Sequence, residues 1–165
     1  MFKKLFKKGK KEEDLSIYAP LSGKIMPLEE VPDPVFGQKM MGEGIAIVPS
    51  KGEVLSPVKG KVIQIPDSKH AIGIEAEDGS QILIHVGLET VALKGEGFTV
   101  KTKVGASVQV GDPLLDFDLP YIVEHAEHTV TPIVITNSLN SDKNYTPTEE
   151  KDAIAGQTAI MTISN

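Results

Sequence analysis

The sequence predicts an all-β domain. From Leu15 onward, strand-like runs of four to eight residues alternate with proline and glycine, which commonly end strands and form turns. Two segments, APLSGKI at 19–25 and SPVKGKV at 56–62, share the pattern Pro-x-x-Gly-Lys followed by a β-branched residue. The pattern is typical of a duplicated unit, although two unrelated turn–strand pairs would also share it. With 165 residues, the chain can bury one good core.

The first 14 residues are predicted to be a separate basic tail. Six of the 17 lysines lie among the first eleven residues, and Phe2, Leu5 and Phe6 have the spacing of one face of a short amphipathic helix. Such a helix would place residues 2–8 on an anionic membrane surface. A solubilising tail without fixed structure fits the composition equally well. The globular domain is therefore predicted to span 15–165.

Charge and composition exclude several classes of function. Without those six lysines the net charge of the chain is −12, and the chain has no arginine. This negative charge argues against binding to nucleic acid and favours a basic protein partner. The absence of cysteine excludes disulfides and thiolate metal sites. No run of about 18 apolar residues and no apolar leader occur. These observations predict a cytoplasmic protein, which the tail would bring to the inner face of the membrane if it binds lipid. A monomer is the default expectation, and the sequence leaves the oligomeric state open.

A β-hairpin is predicted within residues 70–90, HAIGIEAEDGSQILIHVGLET. Asp78 and Gly79 are typical of a two-residue turn between two β-rich runs. This turn would place His85 opposite Ile72 and His70 opposite Gly87. The two histidines would then be diagonal neighbours on one face, roughly 5 to 8 Å apart at the backbone. A pair of imidazoles beside a residue without a side chain suits phosphate or a metal.

One short helix is predicted after Pro120. Asp118 and Pro120 favour a helix start, and the apolar residues that follow have helical spacing. His125 and His128 lie on its polar side, three residues apart, a separation that can chelate a metal. Two polar residues on a solvated face explain them as well, because no third ligand is evident nearby.

The residues alone leave three interpretations of His70 and His85 open. The first is a buried, hydrogen-bonded structural pair. The second is a zinc site. A catalytic zinc centre usually has three protein ligands and a water, so the two histidines alone would not complete it. A lysostaphin-type metallopeptidase would further require a His-x-His pair, which the sequence lacks. The third is phosphoryl transfer, in which one imidazole is the nucleophile and a second group holds the phosphate oxygens.

Several sequence blocks, in the same order, resemble the glucose-type IIA proteins of the bacterial phosphoenolpyruvate-dependent sugar phosphotransferase system. The similarity runs from about Ile17 to the C-terminus, and its most specific block is IHVGLETVALKGEGF. The other blocks are APLSGKI, VPDPVFGQKMMGEGIAI, SKHAIGIE, GDPLLDFDL and TPIVITN. The resemblance implies an antiparallel β-sandwich of the duplicated barrel-sandwich hybrid type, with one or two short helices.

The resemblance also implies roles for particular residues. His85 would be phosphorylated on Nε2, and His70 would stabilise the phosphate. Ser68 would orient His70, and the carbonyl of Gly87 would accept the Nδ1 proton of His85. Asp33, Phe36 and Glu89 would belong to a partner-binding rim.

A phosphohistidine carrier of this family takes its phosphoryl group from HPr and passes it to a cysteine of a IIB domain of a sugar permease. This implied function is a phosphotransferase activity that requires no cofactor. Whether His70 and His85 also bind a zinc ion is left open. The alternative is a regulatory module of the same family that binds proteins without efficient phosphate turnover.

Overall fold

The computed structural model describes residues 14–165, so the predicted tail, apart from Asp14, lies outside the described residues. Two α-helices are present in that range, α1 (Pro34–Gly37) and α2 (Leu119–His125), together with 3-10 turns at Leu28–Glu30 and Thr90–Leu93. The strands are β1 (Leu15–Tyr18), β2 (Gly23–Pro27), β3 (Glu43–Pro49), β4 (Glu53–Leu55), β5 (Gly60–Gln64), β6 (Ala71–Ala76), β7 (Gln81–His85), β8 (Phe98–Val100), β9 (Ser107–Val108), β10 (Pro113–Phe117), β11 (Thr131–Ile135), β12 (Asn144–Pro147), β13 (Asp152–Ala153) and β14 (Ala159–Ser164). The predicted all-β class with one or two short helices is confirmed.

The strands form one large sheet and two small ones, and every strand pair between residues 14 and 165 is antiparallel. The large sheet has the order β13-β2-β3-β11-β7-β6-β5-β9, and the small sheets have the orders β1-β14-β12 and β4-β10-β8. Alternate residues such as Ile47, Ile72 and Ile84 point from the large sheet into the main core, where they meet Ile17 and Leu114 from the small sheets. This arrangement is a β-sandwich.

The large sheet has two halves of similar strand order, and the two echoed sequence segments pair with each other. The large sheet consists of two halves, β13-β2-β3-β11 and β9-β5-β6-β7, which meet where β11 pairs with β7. The two echoed sequence segments exchange matching hydrogen bonds: Tyr18 N–H donates to Pro57 O, and Leu55 N–H donates to Pro20 O, both at 2.9 Å. The two echoed segments are therefore joined by hydrogen bonds at matching positions of the repeated pattern.

The hairpin between β6 and β7 exists, but its predicted register is wrong by one residue. His85 lies opposite Ala71, not Ile72. The connection has three residues, 77–79, because Ala76 and Ser80 pair across it and Gly79, at φ +90°, donates its N–H to Ala76 O. A turn followed by a glycine in the left-handed region is the usual three-residue hairpin connection, and it uses the same Asp-Gly pair as the two-residue turn.

A second, smaller apolar cluster lies on the outer face of the large sheet, and its residue Phe36 contacts His85. Leu28, Val31 and Phe36 come from the segment between β2 and β3, and they pack on Ala46 and Val134 of the sheet. Asp33 begins α1 within this segment by accepting a hydrogen bond from Val35 N–H at 2.8 Å. The outer face of the large sheet is thus partly covered.

The helix predicted after Pro120 is confirmed as α2. Asp118 caps it through a hydrogen bond from Tyr121 N–H at 3.1 Å, and Ile122 is its buried residue. None of the helices in residues 14–165 has the length and apolar character needed to cross a bilayer.

Candidate functional site

His70 and His85 are in contact at one end of the hairpin. Their ring centroids are 4.7 Å apart, and the rings are nearly perpendicular, at 81°. His85 is the last residue of β7, and His70 directly precedes β6. His70 is buried, with 7% of its surface exposed, whereas His85 is partly exposed. The predicted proximity of the two histidines is therefore confirmed, although the register from which it was predicted is wrong.

A turn before β6 brings His70 to this position. In the observed register His70 lies opposite Val86, whose N–H donates to His70 O at 2.8 Å, and not opposite Gly87. Strict alternation along the strands would then place His70 and His85 on opposite faces. Lys69 leaves the strand conformation, with φ +61°, and its N–H closes a turn on Pro66 O at 2.9 Å. This departure allows the His70 ring to reach His85.

The ring of His85 has a defined tautomer. Nδ1 lies 2.8 Å from Gly87 O, and because a carbonyl oxygen only accepts hydrogen bonds, Nδ1 carries the proton. The lone pair therefore remains on Nε2, the nitrogen able to attack an electrophile. Gly87 adopts φ +75°, and a Cβ atom there would lie 2.7 Å from Thr90 Cγ2, so glycine is required at this position.

Ser68 contacts the second ring. Its Oγ lies 2.6 Å from Nδ1 of His70, a short hydrogen-bond distance. The hydroxyl approaches from the turn that contains Lys69, so the same turn positions both the His70 ring and its hydrogen-bond partner.

Burial favours the neutral form of both imidazoles. Desolvation, followed by the neighbouring His85, lowers the pKa of His70 to about 4. Desolvation also lowers the pKa of His85, an effect that the Gly87 carbonyl and the carboxylates of Asp33 and Glu89 partly oppose. At neutral pH the site thus presents two uncharged rings, and one of them has an available nucleophilic nitrogen.

The three residues named for the partner-binding rim lie around His85 but differ in exposure. Phe36 is buried, with 6% exposed, and its ring centroid is 5.1 Å from that of His85. Most of the Phe36 surface therefore faces the protein itself. Asp33 and Glu89 line a shallow depression with Glu127, and Glu89 is exposed. The charged part of the rim is accessible to a partner.

A shallow depression of about 400 Å³ borders the histidines on the outer face of the sheet, where Met41, Ile63 and Gly73 are among its lining residues. A larger groove of about 650 Å³ lies elsewhere, between β2, β3 and β12, and does not include either histidine. Because both histidines line it, the shallow depression is the functional candidate.

Residues 14–165 contain no group of three or more histidine, aspartate or glutamate side chains arranged to hold a metal. His70 and His85 supply two imidazoles, and a zinc ion there would need further ligands from another molecule. His125 and His128 are engaged locally: Nδ1 of His125 lies 3.0 Å from Tyr121 O, and Nδ1 of His128 accepts a hydrogen bond from the Val130 N–H at 2.9 Å.

Sequence reasoning missed Thr90. Its side chain is completely buried, and its hydroxyl donates to Val86 O at 2.6 Å, next to the loop that carries Gly87. Threonine is common in β proteins, and only the tertiary contacts distinguish this one from others.

The chain is similar to several known proteins. Residues 15–141 match the family described as "phosphoenolpyruvate-dependent sugar phosphotransferase system, EIIA 1". The chain is 47% identical over 165 residues to the PTS system glucose-specific EIIA component of Staphylococcus aureus (strain COL), with 99% of both chains covered. It is 51% identical over 168 residues to the protein of the same name from Oceanobacillus iheyensis, with 100% of both covered. The fold superposes on glucose permease IIA from Mycoplasma capricolum with a TM-score of 0.82 and 32% identity, covering 90% of this chain and 95% of that one.

Proposed function

Because this chain belongs to the EIIA 1 family of the phosphoenolpyruvate-dependent sugar phosphotransferase system, we propose that it carries a phosphoryl group on His85. One observation supports this above all. Nδ1 of His85 donates its proton to Gly87 O, 2.8 Å from Nδ1, and the centroid of the His70 ring lies 4.7 Å from the centroid of the His85 ring. The nucleophilic nitrogen and a second imidazole are thus placed side by side.

The acceptance step requires no cofactor. The Nε2 lone pair of His85 forms the new N–P bond as the N–P bond of the donor phosphohistidine breaks, and the donor imidazole recovers that electron pair. The proton on Nδ1 stays with His85, hydrogen-bonded to Gly87 O. In the second step a thiolate of the acceptor protein attacks phosphorus, and the electron pair of the breaking N–P bond returns to Nε2. No water or external proton is consumed.

His70 stabilises the transferred group. Its pKa of about 4 keeps the ring neutral at pH 7. When the Ser68 hydroxyl donates to Nδ1 of His70, the remaining ring proton is on Nε2, where it serves as a donor to a phosphate oxygen. The Gly87 carbonyl can only accept and so fixes the tautomer of His85, whereas the Ser68 hydroxyl gives this tautomer of His70 when it donates.

The proposed partners are HPr, which donates the phosphoryl group, and a IIB domain of a sugar permease, which receives it on cysteine. Asp33 and Glu89 offer negative charge beside His85 to basic residues of these proteins, and Phe36 mainly supports the His85 ring. The relatives' names favour a glucose permease. We place the protein in the cytoplasm as a monomer without nucleic-acid partners, and residues 2–8 on anionic lipid.

Phosphorylation of the purified protein tests the proposal. Wild type, His85→Ala, His70→Ala and the surface control His125→Ala are incubated with phosphoenolpyruvate, enzyme I and HPr, and intact masses are measured before and after mild acid. We expect an acid-labile gain of one phosphoryl group in every form except His85→Ala. Transfer onward to the IIB cysteine is expected to fail in His70→Ala.

The alternative function has a distinct outcome in the same experiment. If no form gains phosphate, the carrier proposal is wrong. Persistent binding of the unphosphorylated protein to a partner would then support the regulatory module. Zinc titration of wild type against the double variant lacking His70 and His85 tests whether these rings hold a metal.

A further inference from the structure

Thr90 is a completely buried polar residue beside the site, and the proposed mechanism does not yet use it. It is the first residue of the 3-10 turn Thr90–Leu93, and none of its surface is exposed. Its hydroxyl donates to Val86 O at 2.6 Å. A buried side chain with such a short hydrogen bond has one well-defined position.

The loop anchored by this hydrogen bond connects the two histidines. Val86 accepts from Thr90 through its carbonyl and donates to His70 O through its N–H at 2.8 Å. The next residue, Gly87, supplies the carbonyl that holds the Nδ1 proton of His85 at 2.8 Å. A change at the Thr90 hydroxyl therefore reaches the backbone of one histidine and the hydrogen-bond acceptor of the other.

The loop adopts a conformation that the chain does not prefer. Gly87 has φ +75° and Glu89 has φ +61°, both in the left-handed region, which is uncommon for glutamate. On one side Leu88 holds the loop through its N–H, which donates to His128 O at 2.9 Å. On the other side Thr90 holds it through its hydroxyl, and its methyl group packs against Gly87. Such a conformation persists only while its surroundings enforce it.

We propose that Thr90 is a positioning residue for phosphoryl acceptance: through its hydroxyl it fixes the loop so that Gly87 O retains the Nδ1 proton of His85 and leaves Nε2 free. This inference rests on the proposed carrier function for its effect on rate. Its effect on the tautomer of His85 belongs to the unphosphorylated protein and does not depend on that function.

Without the hydroxyl, the Gly87 carbonyl loses one of its constraints. The His85 ring then also populates the tautomer that is protonated on Nε2, in which the attacking nitrogen has no lone pair. Since a single net hydrogen bond changes an equilibrium by a modest factor, we expect acceptance from phospho-HPr to slow roughly 3- to 10-fold.

Two substitutions separate the hydroxyl from the methyl group. Thr90→Val keeps the shape and removes the hydroxyl, and Thr90→Ser keeps the hydroxyl and removes the methyl. The matched control is Ser56→Ala, because Ser56 is also completely buried and donates to a backbone carbonyl, Val58 O at 2.7 Å, from the connection between β4 and β5. All three proteins are compared with wild type by urea unfolding.

The decisive readout is the long-range ¹H–¹⁵N correlation spectrum of the imidazole nitrogens of His85, which reports the tautomer directly. We expect wild type, Thr90→Ser and Ser56→Ala to show protonated Nδ1, and Thr90→Val to show a mixture together with the slower acceptance rate. Should Thr90→Val not fold, Thr90→Ala lacks the hydroxyl without adding bulk and is subject to the same measurement.

A wild-type tautomer and rate in Thr90→Val, combined with lowered stability, would overturn the proposal and leave Thr90 a purely structural residue. A mixed tautomer in Thr90→Ser would overturn the assignment to the hydroxyl. If wild type accepts no phosphate, the carrier function fails on its own, and the tautomer comparison still decides the role of Thr90.

Discussion

The buried imidazole of His70 makes the stability of this protein depend on pH. Its pKa falls from 6.5 to about 4 on folding, mainly through desolvation. Between these two values the unfolded chain binds a proton that the folded protein rejects, so acid favours unfolding. The contribution of His70 is intact above pH 6.5, is lost progressively as the pH falls towards 4, and stays constant at lower pH.

The size of the effect follows from the two pKa values. A drop from 6.5 to about 4, at about 1.4 kcal/mol per unit, corresponds to roughly 3 kcal/mol of unfolding free energy below pH 4. At pH 5 the loss is about 2 kcal/mol on the same basis. For a domain of this size, with a urea m value of about 2 kcal/mol per molar, the midpoint falls by about 1 M.

Urea unfolding of wild type and His70→Gln at pH 7.5, 6.5, 5.5 and 5.0 measures the pH-dependent contribution of His70 to stability. The difference in unfolding free energy between the two proteins removes, to first order, the titration of all other groups. We expect the stability of wild type relative to His70→Gln to fall by about 2 kcal/mol from pH 7.5 to 5.0. The control, His125→Gln, retains His70 and is expected to follow wild type. A difference between wild type and His70→Gln that is the same at every pH would refute the reasoning.

Three further changes test the site. Gly87→Ala forces a Cβ to within 2.7 Å of a threonine methyl at a φ of +75°, so a loss of about 1–3 kcal/mol in unfolding free energy is expected by calorimetry, and unchanged stability would show that the loop adapts. Phe36→Ala removes the ring beside His85 and should slow acceptance of phosphate in stopped-flow assays more than it changes binding of HPr. The pair of changes Asp33→Asn and Glu89→Gln should raise the KM for phospho-HPr several-fold at low salt and little at high salt. The exposed control Glu53→Gln should leave KM unchanged at both salt concentrations.

The sequence was a reliable guide wherever local chemistry decides the structure. Proline and glycine punctuation predicted a domain of short strands, and Asp118 before Pro120 predicted the start of α2, because capping and fixed φ angles act within one turn. The Asp78-Gly79 pair predicted a hairpin but not its register, since the same dipeptide suits connections of two and three residues. Contacts distant in sequence occur at this turn: Lys143 Nζ lies 2.9 Å from Asp78 Oδ2, and Asn137 donates to Gly79 O at 3.0 Å.

For the candidate site, too, one part could be predicted from the sequence and another part could not. By itself the sequence identified the candidate residues: two histidines in or directly before neighbouring strands, within blocks that are typical of one family. Only the tertiary structure decided how they meet, because in the actual register strand alternation alone would separate His70 from His85. A left-handed residue at Lys69 allows the His70 ring to reach His85, and the loop that supplies the Gly87 carbonyl is anchored by the Thr90 hydroxyl. Neither conformation is preferred by an isolated chain, so each exists only where distant segments pack around it and enforce it.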